Sequence, residues 1–119
     1  MEPRGSIGEY DPGRDAYTLH VGCQGAHNMR THVETVLKAR NVRVLTRDVG
    51  GGFGMKTVPY PEYMLCLWAA RLLGRPVKWI GDRSESFLSD AHARDQETEA
   101  ALALDKDGRI LAIRVETAA

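Results

Sequence analysis

Four of the five residues in the run Gly50-Gly51-Gly52-Phe53-Gly54 are glycine, and no other stretch of the 119-residue chain restricts its folding so sharply. Glycine loses more backbone freedom on folding than any other residue, so a run of them implies positive φ angles or a close approach to the backbone. The run also marks a boundary between elements. Before it, Val42-Arg43-Val44-Leu45-Thr46 is short and β-branched, and reads as a strand that leads through Asp48-Val49 into the loop. After it, residues 60–73 carry Tyr63, Met64, Leu65, Leu67, Trp68, Ala69, Ala70 and Leu72, with Gly74 and Pro76 following. That stretch is apolar on nearly every side and predicts a buried helix closed at Gly74.

Strand, glycine loop, Lys56 and Thr57 is also the order of a nucleoside-triphosphate loop. That loop needs Gly directly before its Lys, where this chain has Met55, and Pro59 would interrupt the helix that should follow. The dinucleotide fingerprint fails too, because Gly50, Gly52 and Gly54 alternate and leave no pair of residues before the last Gly. The residues alone leave two readings open: a tight strand-to-helix turn, or a cradle of backbone N–H groups for phosphate or another oxygen-rich anion.

Elsewhere the pattern is of short elements. Residues 16–21 alternate as a half-buried strand after the turn Asp11-Pro12-Gly13-Arg14-Asp15, with residues 5–10 as hairpin partner. Asn28 is a suitable N-cap for a helix whose apolar residues Met29, Val33, Val36 and Leu37 share one face. Residues 76–80 form a further short strand, and Asp82-Arg83-Ser84-Glu85 caps a brief helix through Leu88. Two alternating runs, 97–104 and 109–116, flank Asp105-Lys106-Asp107-Gly108 as a hairpin. The expected class is α+β, with mixed small sheets and two main helices, in a single partial domain over residues 1–119.

Several functions are disfavoured by composition. Sixteen basic and sixteen acidic residues cancel, and Arg30, Lys38, Arg40, Arg43 and Arg47 are mixed with acids and lack an aromatic platform, so nucleic acid is not an expected partner. Cys23 and Cys66 are too few and too far apart for a disulfide framework or zinc ribbon, and read as small buried hydrophobes. His27 and His32 are five residues apart and do not stack on one helix face, while His20 and His92 are isolated, so no metal ligands are assigned. Met1-Glu2-Pro3-Arg4-Gly5 has no apolar stretch behind its charge, and no apolar run is long enough for a bilayer. The chain is expected to be cytoplasmic, without membrane insertion.

Asp48-Val49-Gly50-Gly51-Gly52-Phe53-Gly54-Met55-Lys56 closely resembles a motif of the xanthine dehydrogenase, aldehyde oxidase and carbon monoxide dehydrogenase family of molybdenum hydroxylases. Three further segments agree in order and spacing: Met1-Glu2-Pro3-Arg4-Gly5, the stretch containing Gln24, and Gly74-Arg75-Pro76-Val77-Lys78-Trp79 with Asp82-Arg83-Ser84-Glu85. The resemblance implies an internal fragment of the molybdopterin-binding large subunit. It implies Gln24 toward the apical oxo group of the metal, and Gly51, Gly52, Phe53 and Gly54 lining the pterin side. A neutral Gln donates an N–H without adding charge, where a carboxylate would repel an oxygen-rich centre.

The same resemblance implies a molybdenum-molybdopterin cofactor, in the cytosine dinucleotide form expected for bacterial relatives, with [2Fe-2S] clusters and FAD on other subunits or domains. Implied partners are the remainder of the molybdenum subunit, the iron-sulfur and flavin subunits, and a small-molecule substrate. The activity implied is hydroxylation of aldehydes or heterocycles with oxygen from water, or oxidation of carbon monoxide. No catalytic residue is assigned, because the family's general base lies beyond residue 119. Two departures stand out. Thr57 replaces the Glu that purine-oxidising members carry after the loop Lys, which disfavours purine, and Lys38-Ala39-Arg40-Asn41 is a shorter helix-to-strand link than usual. The alternative is a non-catalytic truncated or stand-alone module, binding phosphate through the glycine loop.

Overall fold

The computed structural model describes residues 2–92 and 95–118. Strands β1 (Gly5–Asp11) and β2 (Ala16–Val21) form the expected hairpin, with Ile7 opposite His20 and Tyr10 opposite Tyr17. Its turn is closed by Asp11, whose Oδ1 accepts the Gly13 N–H at 2.9 Å. Helix α1 (Ala26–Leu37) then carries the chain over one face of the sheet, and β3 (Asn41–Leu45) returns parallel to β2. A strand–helix–strand crossover of this kind is the usual way to place parallel neighbours.

Helix α2 (Pro61–Leu73) lies on the same face, and β4 (Val77–Ile80) adds antiparallel to β1, giving the order β3-β2-β1-β4. Helix α3 (Arg83–Ser89) starts on Asp82, whose Oδ1 accepts the Glu85 N–H at 2.7 Å, the cap expected from the sequence. A separate hairpin of β5 (Glu97–Leu104) and β6 (Ile110–Ala118) turns at Asp105, whose Oδ1 accepts the N–H groups of Asp107 and Arg109 at 2.8 and 2.9 Å. The α+β class with small sheets is as expected. No described helix is long and apolar enough to cross a membrane.

The core lies between the four-stranded sheet and the two longer helices. Tyr17, Leu19 and Val21 alternate inward from β2 onto Met29 and Val33 of α1 and Tyr63, Met64 and Leu67 of α2. Cys23 and Cys66 are buried free thiols, as their sequence context indicated. Ser6 Oγ contacts Cys66 Sγ at 3.4 Å, and β1 approaches α2 so closely that a Cβ on Gly8 would stand 2.5 Å from the Cys66 carbonyl carbon. Glycine at position 8 thus sets the sheet-to-helix distance.

Arg4, just before β1, is enclosed with 1% of its side chain exposed. Its guanidinium donates to Asp90 Oδ1, to Ser89 Oγ at 2.8 Å and to Glu62 Oε2 at 3.2 Å, and lies 3.7 Å from the ring centre of Tyr60. Burial works against the charge, but the hydrogen bonds of Asp90 and Glu62 prevail and hold the pKa above the usual arginine value. One residue joins the start of β1 to α2 and to the end of α3.

Two sequence expectations need correction. Helix α1 begins at Ala26 with Gly25 as its N-cap, and Asn28 lies in its first turn. The earlier start follows from Gln24, whose N–H is held by the Lys56 carbonyl at 3.0 Å, so that the Gly25 carbonyl is placed to accept Met29 N–H at 3.0 Å. Helix α2 is not buried on all sides, since Leu65, Trp68 and Leu72 are 58%, 56% and 67% exposed. A helix on a single sheet covers one flank only, and nothing in the described chain crosses the other. The link after α1 is tight, in keeping with its short length: Lys38 adopts the left-handed conformation at φ 51°, and Ala39 N–H returns to the Glu34 carbonyl at 3.1 Å.

Gly8→Ala should cost roughly 1–3 kcal/mol, the usual penalty for overpacking, because the obstructing atoms are backbone. Urea unfolding should show a lower midpoint at unchanged slope.

Candidate functional site

The glycine loop leaves the end of β3 and is pinned at both ends. At its start Glu2 runs beside it: Glu2 N–H donates to the Gly50 carbonyl at 2.9 Å, and Gly50 N–H donates to Glu2 Oε2 at 3.0 Å. Lys56, 1% exposed, donates its ammonium to the same carboxylate oxygen at 2.8 Å. At the loop's end Gly54 N–H donates to Gln24 Oε1 at 2.8 Å. The segment bearing Gln24 is tied to β3 through Thr46, whose hydroxyl donates to the Val21 carbonyl at 3.0 Å and stands 3.1 Å from Cys23 Sγ. With the Thr46 proton used on Val21, the Cys23 thiol is the donor of that second contact.

The close approach inferred from the glycines is made by the chain's own side chains. A Cβ on Gly50 would lie 2.7 Å from Glu2 Cβ, one on Gly51 2.6 Å from the Phe53 ring, and one on Gly52 2.4 Å from the Gln24 amide carbon. Gly51 and Gly54 have φ of 85° and 86°, and Phe53 itself is left-handed at φ 50°. Phe53 does not plug the core, since its side chain is 85% exposed and lies over Gly51. The next residues make one 3-10 turn, Met55–Thr57, closed by Thr57 N–H and hydroxyl on the Gly54 carbonyl. No α-helix opens there, so the phosphate-loop arrangement that the sequence argued against has no helix N-terminus to use.

The five residues proposed from the sequence, Gln24, Gly51, Gly52, Phe53 and Gly54, therefore stand together. Their chemistry is that of neutral donors. A backbone N–H can only donate, so the Gln24 amide must turn its carbonyl oxygen to Gly54, which leaves the Nε2 group without an acceptor among the described residues. The N–H groups of Gly51, Gly52 and Phe53 likewise have none there. Such a set suits an anionic, oxygen-rich group and adds no competing charge. No group of three or more His, Cys, Asp or Glu residues among the described residues could hold a metal ion directly.

Sequence reasoning missed Glu2 and the true place of Lys56. Glu2 lies inside a segment matched to the family without a role, and Lys56 stands in the matched loop motif and in the rejected phosphate-loop order with no partner assigned in either. Their partnership spans 54 positions and has no local pattern. The hydrogen bond of Lys56, then that of Gly50, holds the Glu2 carboxyl below the usual carboxylate range.

The molybdopterin cofactor-binding domain model matches residues 1–119. Among curated relatives, the carbon monoxide dehydrogenase large chain of Hydrogenophaga pseudoflava is 38% identical over 121 residues, covering 100% of this chain and 15% of that protein. The 6-hydroxypseudooxynicotine dehydrogenase complex subunit gamma of Paenarthrobacter nicotinovorans is 41% identical over 119 residues, covering 98% of this chain and 15% of that protein. The crystal structure of quinoline 2-oxidoreductase from Pseudomonas putida 86 superposes with a TM-score of 0.78 at 39% identity, over 98% of this chain and 15% of that one. The chain thus spans about one-seventh of the length of these proteins.

Two outcomes are expected. Gly52→Ala should displace the Gln24 amide, a movable side-chain end, and cost roughly 0.5–1.5 kcal/mol for the lost Gly54 hydrogen bond, seen as faster exchange of the Gly54 amide. A carboxyl whose folded pKa is lowered adds stability that is complete above its ordinary value of 4.5 and is lost as pH falls through the depressed value. Thermal melts of wild type and Glu2→Gln should differ at neutral pH and converge in acid below that range.

Proposed function

Because this chain belongs to the molybdopterin cofactor-binding domain family, we propose that it forms one part of the cofactor site in the large subunit of a molybdenum-dependent oxidoreductase. One observation carries the reading: the Gln24 amide is clamped by Gly54 N–H with its NH2 group turned away from the clamp, beside the free N–H groups of residues 51–53. Gln24 would donate to an oxygen on the metal, and Gly51, Gly52, Phe53 and Gly54 would line the pterin side. When bound, the cofactor supplies a redox-active metal that accepts the two electrons of the oxidation. This chain's residues would orient the group and donate hydrogen bonds to it; no general base is assigned among them, and that base is expected beyond residue 119.

The relatives' names include carbon monoxide, 6-hydroxypseudooxynicotine, quinoline, hypoxanthine and aldehyde, and from these carbon monoxide, N-heterocycles and aldehydes are the substrate classes proposed for the complete enzyme. Thr57 directly after Lys56 disfavours purine, since it lacks the carboxylate expected there. We further propose the cytosine dinucleotide form of the pterin, [2Fe-2S] and FAD partners on other subunits, a cytoplasmic setting, and residues 1–119 as one partial domain. A stand-alone phosphate-binding module is not favoured, because the family match covers the whole chain and the loop opens no helix.

The test is Gln24→Ala in the complete subunit. Loss of one preorganised donor should lower kcat on the order of 10²-fold with the fold intact by circular dichroism. An unchanged kcat at full molybdenum loading would remove Gln24 from the site.

A further inference from the structure

We propose that Glu2 and Lys56 are the positioning residues of the cofactor wall, setting the shape of the loop from Gly50 to Gly54 without touching the cofactor; this rests on the reading of the site given above. The argument is one of connectivity. Lys56 is held at two points, with its ammonium on Glu2 Oε2 at 2.8 Å and its carbonyl on the Gln24 N–H at 3.0 Å. Glu2 in turn grips Gly50 through both its main chain and its carboxylate, and Gln24 grips Gly54 through its amide. Gly50, Glu2, Lys56, Gln24 and Gly54 therefore form one circuit that joins the two ends of the loop. Lys56 is the only member common to both halves of it.

The pair is also unlike an ordinary surface ion pair, which contributes little because water screens both charges. Lys56 is 1% exposed while Glu2 is 50% exposed, so the two halves are unequal. Gly22 lies beside the pair, where a Cβ would make ordinary contact at 3.7 Å from Glu2 Oε2 and 3.8 Å from Lys56 Nζ. Removing Glu2 leaves an enclosed ammonium without its carboxylate, and such a charge is driven outward toward water. Movement of Lys56 would pull its carbonyl from Gln24 and release the far end of the loop. Removing the Lys56 charge instead leaves Glu2 free to hydrate.

This asymmetry is testable in the complete polypeptide that carries this chain. Glu2→Ala should expose the Gly50 and Gly54 amides to hydrogen exchange about ten-fold faster than wild type, the equivalent of one net hydrogen bond, and lower molybdenum per folded polypeptide several-fold. Lys56→Met, of similar length and uncharged, should be milder, and Glu2→Ala combined with Lys56→Met should recover part of what Glu2→Ala loses. Leu67→Ala, a core cavity away from the loop, should lower stability while keeping molybdenum per folded polypeptide at the wild-type ratio. If Glu2→Ala yields no folded protein, Glu2→Gln takes its place, since it keeps an acceptor for Gly50 and removes the charge.

The proposal is overturned if the Glu2 variants match wild type in both exchange and molybdenum, if they lose no more molybdenum than Leu67→Ala, or if the double variant is worse than Glu2→Ala. A wild-type polypeptide without molybdenum would sink the cofactor reading instead. The exchange pattern at Gly50 and Gly54 alone would then decide whether Glu2 and Lys56 shape the loop.

Discussion

A guanidinium with 1% of its surface exposed is tolerated only where its charge and its N–H donors are answered. Arg4 meets that demand with Asp90, Glu62 and Ser89, and lies against the Tyr60 ring with Trp79 5.2 Å away. These partners come from the start of α2, from β4 and from the end of α3. Desolvating one cation therefore obliges four parts of the chain to meet. The Gly81 N–H bond to the Arg4 carbonyl at 2.9 Å extends the same junction to the backbone.

Two residues earlier, the same extended segment supplies Glu2 to the glycine loop. Core and site are thus linked through residues 2–4, with Arg4 anchored inward and Glu2 reaching Gly50 and Lys56. The loop's glycines serve this arrangement first. Gly50 admits Glu2, Gly51 admits the Phe53 ring and Gly52 admits Gln24, so the loop is shaped by its own neighbours. What it leaves over for a ligand is a row of neutral donors, which fits an oxygen-rich anionic group better than a carboxylate-lined pocket would.

Two apolar surfaces lie outside this account of the core. Leu65, Trp68 and Leu72 form an exposed stripe on α2, and the β5–β6 hairpin turns Leu102, Leu104, Ile113 and Val115 to one open face. A two-stranded hairpin is marginal in water unless its apolar face is covered. Both surfaces accord with a chain that matches about one-seventh of the length of its relatives.

Local pattern decided much of this protein. Alternation in residues 16–21, the Asp82 cap, Gly74 at the end of α2 and the Asp105 turn all hold in the structure, because each depends on neighbours within a few positions. The sequence also carried the family, through motifs that keep their order and spacing, and it grouped Gln24 with residues 51–54, which the fold brings into contact. Tertiary structure alone decided which end of the Gln24 amide is free, why α1 starts at Ala26, which flank of α2 is buried, and that Glu2 and Lys56 close the loop. Each of those rests on contacts between residues far apart in the chain, where hydrogen-bond direction and burial are set by packing and leave no periodic trace.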